Sequence, residues 1–186
     1  MNLKDKIEAY EPFNLQEEKD KLHFLKFINT FDDVLTRENE FGHFTSSAFV
    51  VNKQRTKMVV VYHNILKGWI YPGGHADGCE DLLKVAIKEV EEETNLKAKV
   101  IDNNIFAINA NAAESHIRRG EFVPSHIHFD VVYLLEANEF DKLNYREEES
   151  KGVKWINLED AYDDSMVGFI RPVHKKLVKK LRQTKY

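Results

Sequence analysis

Glu89, Glu92 and Glu93 are the residues of this chain whose types and spacing most directly suggest chemistry. At i, i+3 and i+4 of a helix, three carboxylates crowd one face and repel one another unless a cation sits among them. Hard oxygen donors that leave room for phosphate groups suit magnesium or manganese better than zinc. The helix that must carry them is predicted over Leu82 to Thr94, where Leu83, Ala86, Ile87 and Val90 form one apolar stripe. Glu91 falls away from the other three and is assigned to solvent. The competing expectation, an ordinary solvated acidic face, leaves unexplained why a Gly-Gly loop and Glu80 precede the helix.

The carboxylates belong to a longer pattern. From Gly74, five residues lead to Glu80, and seven more to Lys88-Glu89-Val90-Glu91-Glu92-Glu93-Thr94-Asn95-Leu96. This segment resembles the Nudix box, which has Arg where Lys88 stands and Gly where Asn95 stands. Lys88 keeps the charge but lacks the planar fork of Arg. Asn95 occupies what is expected to be a left-handed helix cap, where Asn is the next-best residue after Gly. Tyr71-Pro72-Gly73-Gly74 supplies a turn ahead of the box. Pro72 to Gly78, with His63 and Trp69 before it, looks like a bacterial Nudix subgroup.

The resemblance implies a Nudix fold, an α/β (α+β) architecture with a mixed sheet packed between helices, over about residues 43 to 170. It also implies hydrolysis of a nucleoside diphosphate linked to another group, using Mg2+ or Mn2+ and an attacking water. The implied metal ligands are Glu89, Glu92, Glu93 and the backbone carbonyl of Gly73. Glu80 and Lys88 match the pair that orients the ligands. A further base is common in the family shortly before a strand near a tryptophan. Glu147-Glu148-Glu149 precedes Trp155, so Glu149 is the first choice and Glu148 the second, with Glu92 the candidate inside the box. An ordinary solvated acidic loop is the alternative for this triplet.

His126, His128 and Asp130 alternate with apolar residues and so share one strand face. With His75 they are expected to line a substrate pocket, the alternative being a solvated edge strand. A zinc site made of these two histidines and Asp130 is disfavoured, because alternate residues on one strand rarely complete a shell. His63, Trp69 and Tyr71 are expected to pack the core.

At 186 residues the chain has room for one sizeable domain. Residues 1–40 are expected to be a helical extension, with Leu22, Leu25, Phe27, Ile28, Phe31 and Leu35 buried and Pro12 separating two segments; residues 41–186 would be the Nudix domain. Strands are predicted over Phe44 to Val51, Met58 to Tyr62, Lys97 to Ile101, Ile105 to Ala110, His126 to Leu135 and Val153 to Ile156. A final helix is predicted from Pro172 to Lys185, with a solvated basic side of Lys175, Lys176, Lys179, Lys180 and Arg182. A net charge of -4 argues against a role centred on nucleic-acid backbone, while small anionic nucleotides remain suitable substrates for a metal-bearing site. Cys79 is the single cysteine, so no disulfide forms within the chain and a reducing, cytoplasmic setting is expected. No signal peptide, membrane span or DNA-binding domain is expected, and a homodimer is left open. Nudix-like isomerases need a cysteine earlier than Cys79; a non-catalytic nucleotide-binding module would have no use for three retained carboxylates.

Overall fold

The computed structural model describes residues 2–118, 120–145 and 150–184. A fully buried strand, β1 (Gly42–Val51), forms the spine of an eight-stranded mixed sheet. It pairs in parallel with β9 (His126–Glu136) along its whole length, from Gly42 opposite Ile127 to Val51 opposite Glu136. Its far end turns back through Asn52 into β2 (Lys57–His63), where the Asn52 side chain accepts from the Thr56 and Lys57 amides at 2.9 and 3.0 Å. The sheet order is β10 (Ser150–Asn157), β2, β1, β9, β5 (Lys99–Val100). Three more strands join it: β3 (Gly68–Ile70) on β2, β4 (Gly73–His75) on β1, and β6 (Ala107–Ala113) on β9. A separate hairpin pairs β7 (His116–Arg118) with β8 (Glu121–Val123).

Helices cover both faces, as a sheet with apolar residues on each side requires. On one face Phe44, Ala48, Val50, Phe129, Val131 and Tyr133 pack against Leu82, Ala86 and Val90 of α3 (Leu82–Thr94). The same cluster takes in Ile7 of α1 (Leu3–Ala9) and Phe24 and Phe27 of α2 (Leu15–Thr30). On the other face Phe49, Val60, Val132 and Leu134 meet Leu177, Val178 and Leu181 of α4 (Ile170–Gln183).

The first two helices are thus part of the central core. Their buried stripe departs from expectation at one position: Leu22 is exposed, while Phe27 is buried as expected and Phe24, outside the expected set, is buried beside it. Phe24 meets Phe44 and Phe129 edge-on at 5.4 and 5.1 Å, and Phe27 stacks on Phe129 at 4.3 Å. The helix stops at Thr30, so Phe31 and Leu35 lie in the following connection. The basic side of α4 also needs correction. Lys175, Lys179 and Arg182 are exposed, but Lys176 is buried and Lys180 is half-buried over the Tyr10 and Phe13 rings. Lys176 Nζ lies 2.9 Å from Glu17 Oε1 and also bonds the Ile108 carbonyl and Asn109 Oδ1.

His174, on the same helix, is fully buried, with Nδ1 2.7 Å from the Ala161 carbonyl and no partner for Nε2 among the described residues. Burial pushes its imidazole down to about 4 from an ordinary 6.5. Below 6.5 the unfolded chain therefore binds a proton the native protein refuses, and stability falls until the pH reaches about 4. Between pH 7 and pH 5 the loss from this residue is expected to be about 2 kcal/mol. Thermal melts of wild type and His174→Gln at the two pH values check this: the wild type should lose more, and equal losses would contradict it.

Candidate functional site

The acidic helix α3 begins where the Asp81 side chain accepts from the Lys84 amide at 3.2 Å. It ends at Asn95, in the left-handed conformation with φ 62° and ψ 13°, which confirms the expected cap. Between these ends Glu89, Glu92 and Glu93 are half-buried while Glu91 is exposed, the separation that helical phase demands. Lys88 Nζ lies 3.1 Å from Glu92 Oε2, one turn on. Glu80 is exposed immediately before the cap residue.

Strand β4 presents its two glycines to these carboxylates. The Gly73 amide donates to Glu93 Oε2 at 2.9 Å. A Cβ on Gly74 would collide with the Glu89 carboxylate, and one on Gly73 would collide with Ser47 of β1. The missing side chain at Gly74 lets strand and helix approach this closely, and the one at Gly73 lets β4 lie against β1. Because a side chain on Gly74 could be accommodated only by displacing the flexible Glu89 head, Gly74→Ala is expected to fold but to misplace that carboxylate. A raised metal requirement with a near-normal melting temperature would show it; unchanged metal dependence would refute it.

The connection before β10 is tied to the same helix. The Asn144 amide donates to the Thr94 carbonyl at 3.1 Å, and the Asn95 side chain donates to the Lys142 carbonyl at 3.3 Å. A cleft of about 400 Å3 opens there, lined by Lys88, Glu91, Glu92, Asn95, Asn144 and Tyr145. Glu147, Glu148 and Glu149 lie outside the described residues, between this anchored stretch and Ser150.

A family profile described as the NUDIX domain matches residues 42–181. The chain belongs to the Nudix family. Among curated relatives, m7GpppN-mRNA hydrolase NUDT17 from Xenopus laevis is 27% identical over 117 residues, 60% of this chain and 38% of that protein. Nucleoside diphosphate-linked moiety X motif 6 from Mus musculus is 31% identical over 107 residues, 57% of this chain and 31% of that protein. The chain thus spans about a third of the length of these relatives. Among solved structures, a NUDIX-family hydrolase from Clostridium perfringens has a TM-score of 0.52 at 23% identity, covering 75% of this chain and 97% of that one. An ADP-ribose pyrophosphatase from Streptococcus suis has a TM-score of 0.53 at 15% identity, covering 77% and 93%. These structures share the Nudix fold with this chain.

The Nudix fold places the other candidate residues on the sheet face opposite the box helix. Strand β9 lies inside the sheet, between β1 on one side and β5 and β6 on the other, so the solvated-edge alternative fails. His75, His126 and His128 do come together: His75 and His128 rings are 4.9 Å apart, and His126 Nε2 is 3.0 Å from His128 Nε2. Asp130 separates from them. It is 3% exposed and accepts from Ser47 Oγ at 2.7 Å, Tyr71 OH at 2.8 Å and Thr45 Oγ1 at 3.1 Å. Burial raises the Asp130 carboxyl above its ordinary range, opposed by these hydrogen bonds. Asp130 therefore cross-braces β1, β9 and the Tyr71 turn, and does not line an open pocket as expected. Tyr71 is core, as expected, while Trp69 is half-buried under Lys154 Nζ at 4.1 Å.

Sequence reasoning missed His43. It sits opposite His128 in the β1–β9 register, its ring 5.0 Å from those of both His75 and His128. Burial, aided by His126, lowers His43 to about 4, and burial with His75 and His43 lowers His128 to about 2, so both imidazoles are neutral. The overlooked signal was a second polar alternation, His43-Thr45-Ser47, matching that of His128 and Asp130.

Proposed function

We propose that this protein is a metal-dependent hydrolase that cleaves the diphosphate linkage of a nucleoside diphosphate derivative. The observation that carries this reading is the contact between the Gly73–Gly74 strand and the half-buried Glu89, Glu92 and Glu93 of α3. The donor set suits Mg2+ or Mn2+: three carboxylates on one helix face, with the Gly73 carbonyl on the adjoining strand. When bound, such a cation neutralises phosphoryl oxygens and lowers the pKa of a coordinated water.

The chain's own groups position that chemistry. The Gly73 amide, donating to Glu93, fixes the carboxylate against β4. Lys88, paired with Glu92, holds that side chain by the cleft and offsets charge among the acids. Glu149 is the proposed base that takes the proton from the attacking water, with Glu92 the alternative. Residues 142–144, which precede Glu149 in the chain, are anchored at the end of α3. A small nucleotide would occupy the cleft with its phosphates toward α3. The names of the relatives supply substrate classes to try: a capped-RNA dinucleotide, a nucleoside diphosphate linked to another moiety, and ADP-ribose.

The test is a magnesium-dependent hydrolysis screen over nucleoside triphosphates, ADP-ribose, nucleotide sugars and dinucleotides, with Glu93→Gln alongside. Selective turnover that the variant lacks is the expected result. Nucleotide binding by both proteins with turnover by neither would replace the enzyme reading with that of a binding module.

A further inference from the structure

We propose that His43, His75 and His128 form a second metal site, for a zinc-class transition ion, distinct from the carboxylate seat on α3. The three imidazoles come from three adjacent strands, β1, β4 and β9, and offer one nitrogen each within 4.8 Å of one another. Their ring centroids are 4.9 to 5.0 Å apart. Four-coordinate zinc with bonds of about 2.0–2.1 Å brings its donor atoms to about 3.4 Å, so only small side-chain rotations close the site. Strand pairing already holds the backbones in place, with His43 opposite His128 and Thr45 opposite His75.

His43 is the decisive residue. It is 4% exposed, and neither ring nitrogen makes a hydrogen bond of normal geometry among the described residues, the Asn39 backbone being only a weak contact. A buried polar atom without a partner costs about 1–3 kcal/mol, and a coordinated cation removes that cost.

His126 supplies an independent observation. Its Nδ1 lies 2.8 Å from the Pro124 carbonyl, so Nδ1 carries the hydrogen and the Nε2 lone pair points at His128. That arrangement, a backbone carbonyl fixing the tautomer of a ring whose other nitrogen faces a cluster, is how proteins orient metal-binding histidines. His126 is therefore placed as the fourth ligand. Neutral imidazoles suit zinc, copper, iron and nickel, whereas magnesium takes oxygen donors. The site stands independently of the hydrolase reading, because it shares no ligand with Glu89, Glu92 or Glu93.

The experiment is calorimetric titration of the full-length, chelator-stripped protein with Zn2+ in saturating Mg2+, repeated with Co2+ for the absorption spectrum of tetrahedral nitrogen ligation. Wild type and the Glu92→Gln/Glu93→Gln double variant are expected to bind one equivalent alike. His75→Gln and His128→Gln, checked for folding by circular dichroism, are expected to weaken binding by more than about 100-fold, beyond the loss typical of an outer-shell change. Loss of the equivalent in the carboxylate variant with retention in the folded histidine variants would overturn the proposal, as would no stoichiometric binding by wild type. Because the readout is binding, an inactive hydrolase screen would leave the result unaffected.

Discussion

Glu93→Gln is expected to reduce diphosphate hydrolysis by at least about a thousandfold, equivalent to about 4 kcal/mol of barrier, while leaving the melting temperature nearly unchanged. The two halves of this expectation come from different atoms of one side chain. Glutamine has almost the same shape, and its amide oxygen can accept the Gly73 N–H that Glu93 Oε2 now receives at 2.9 Å. The contact between β4 and α3 therefore survives. What disappears is one negative charge of the three that would hold a divalent ion against substrate phosphates, and Lewis-acid stabilisation of this kind contributes several kcal/mol. Lys84→Gln is the control on the same helix: Lys84 is exposed and lies outside both the carboxylate contact with β4 and the lining of the cleft, so its rate should match wild type. Steady-state kinetics on the best substrate, with melting curves for both variants, would decide. Near-normal turnover by Glu93→Gln would remove that residue from the metal seat.

Lys176→Met should lower stability by about 3–5 kcal/mol, the cost of leaving a buried charge without its partner. For a chain of this length that is a fall in melting temperature of about 10 °C or more. The side chain of Glu17 is fully inaccessible and that of Lys176 is 5% exposed. Glu17 Oε2 accepts from Tyr10 OH at 2.5 Å and from the Phe13 amide at 2.8 Å, while Lys180 Nζ donates to Tyr10 OH. Burial by itself would raise the Glu17 carboxyl, but Lys176, Tyr10 and Phe13 outweigh it and hold the group below its ordinary 4.5. A depressed native pKa means this stabilisation is complete above 4.5 and is lost as the pH falls through the native value. Adding Glu17→Leu to Lys176→Met should recover much of the loss, since an apolar pair of similar volume can replace a buried ion pair. Chemical denaturation of the single and double variants measures the coupling. If Lys176→Met alone is neutral, α4 does not depend on this link to α2.

The relation between these two sites also shows where sequence reasoning reached and where it stopped. Helix α3 was legible to the residue, from its start at Leu82 to the left-handed cap at Asn95, because its apolar stripe, carboxylate phase and cap are all local properties of one short segment. The long strands β1, β2 and β9 were legible for the same reason. The three-residue strands β3 and β4 were not. A strand of that length has no periodicity of its own and forms because β2 and β1 offer it hydrogen bonds.

Burial was harder to infer than secondary structure. Lys176 and Glu17 are 159 positions apart, and each looks like an ordinary surface charge until α2 and α4 meet over β6. His43 stood one residue outside its predicted strand, and nothing near it in sequence marks it as the neighbour of His75 and His128. By itself the sequence determined the family and the spacing of the acidic residues, because both are carried within a single helix and its preceding loop. Only the tertiary structure decided which histidines cluster, that Asp130 braces the neighbouring strands, and that the first two helices belong to the core. Those outcomes depend on strand register and helix docking, which bring distant residues together through many weak contacts that no single segment encodes.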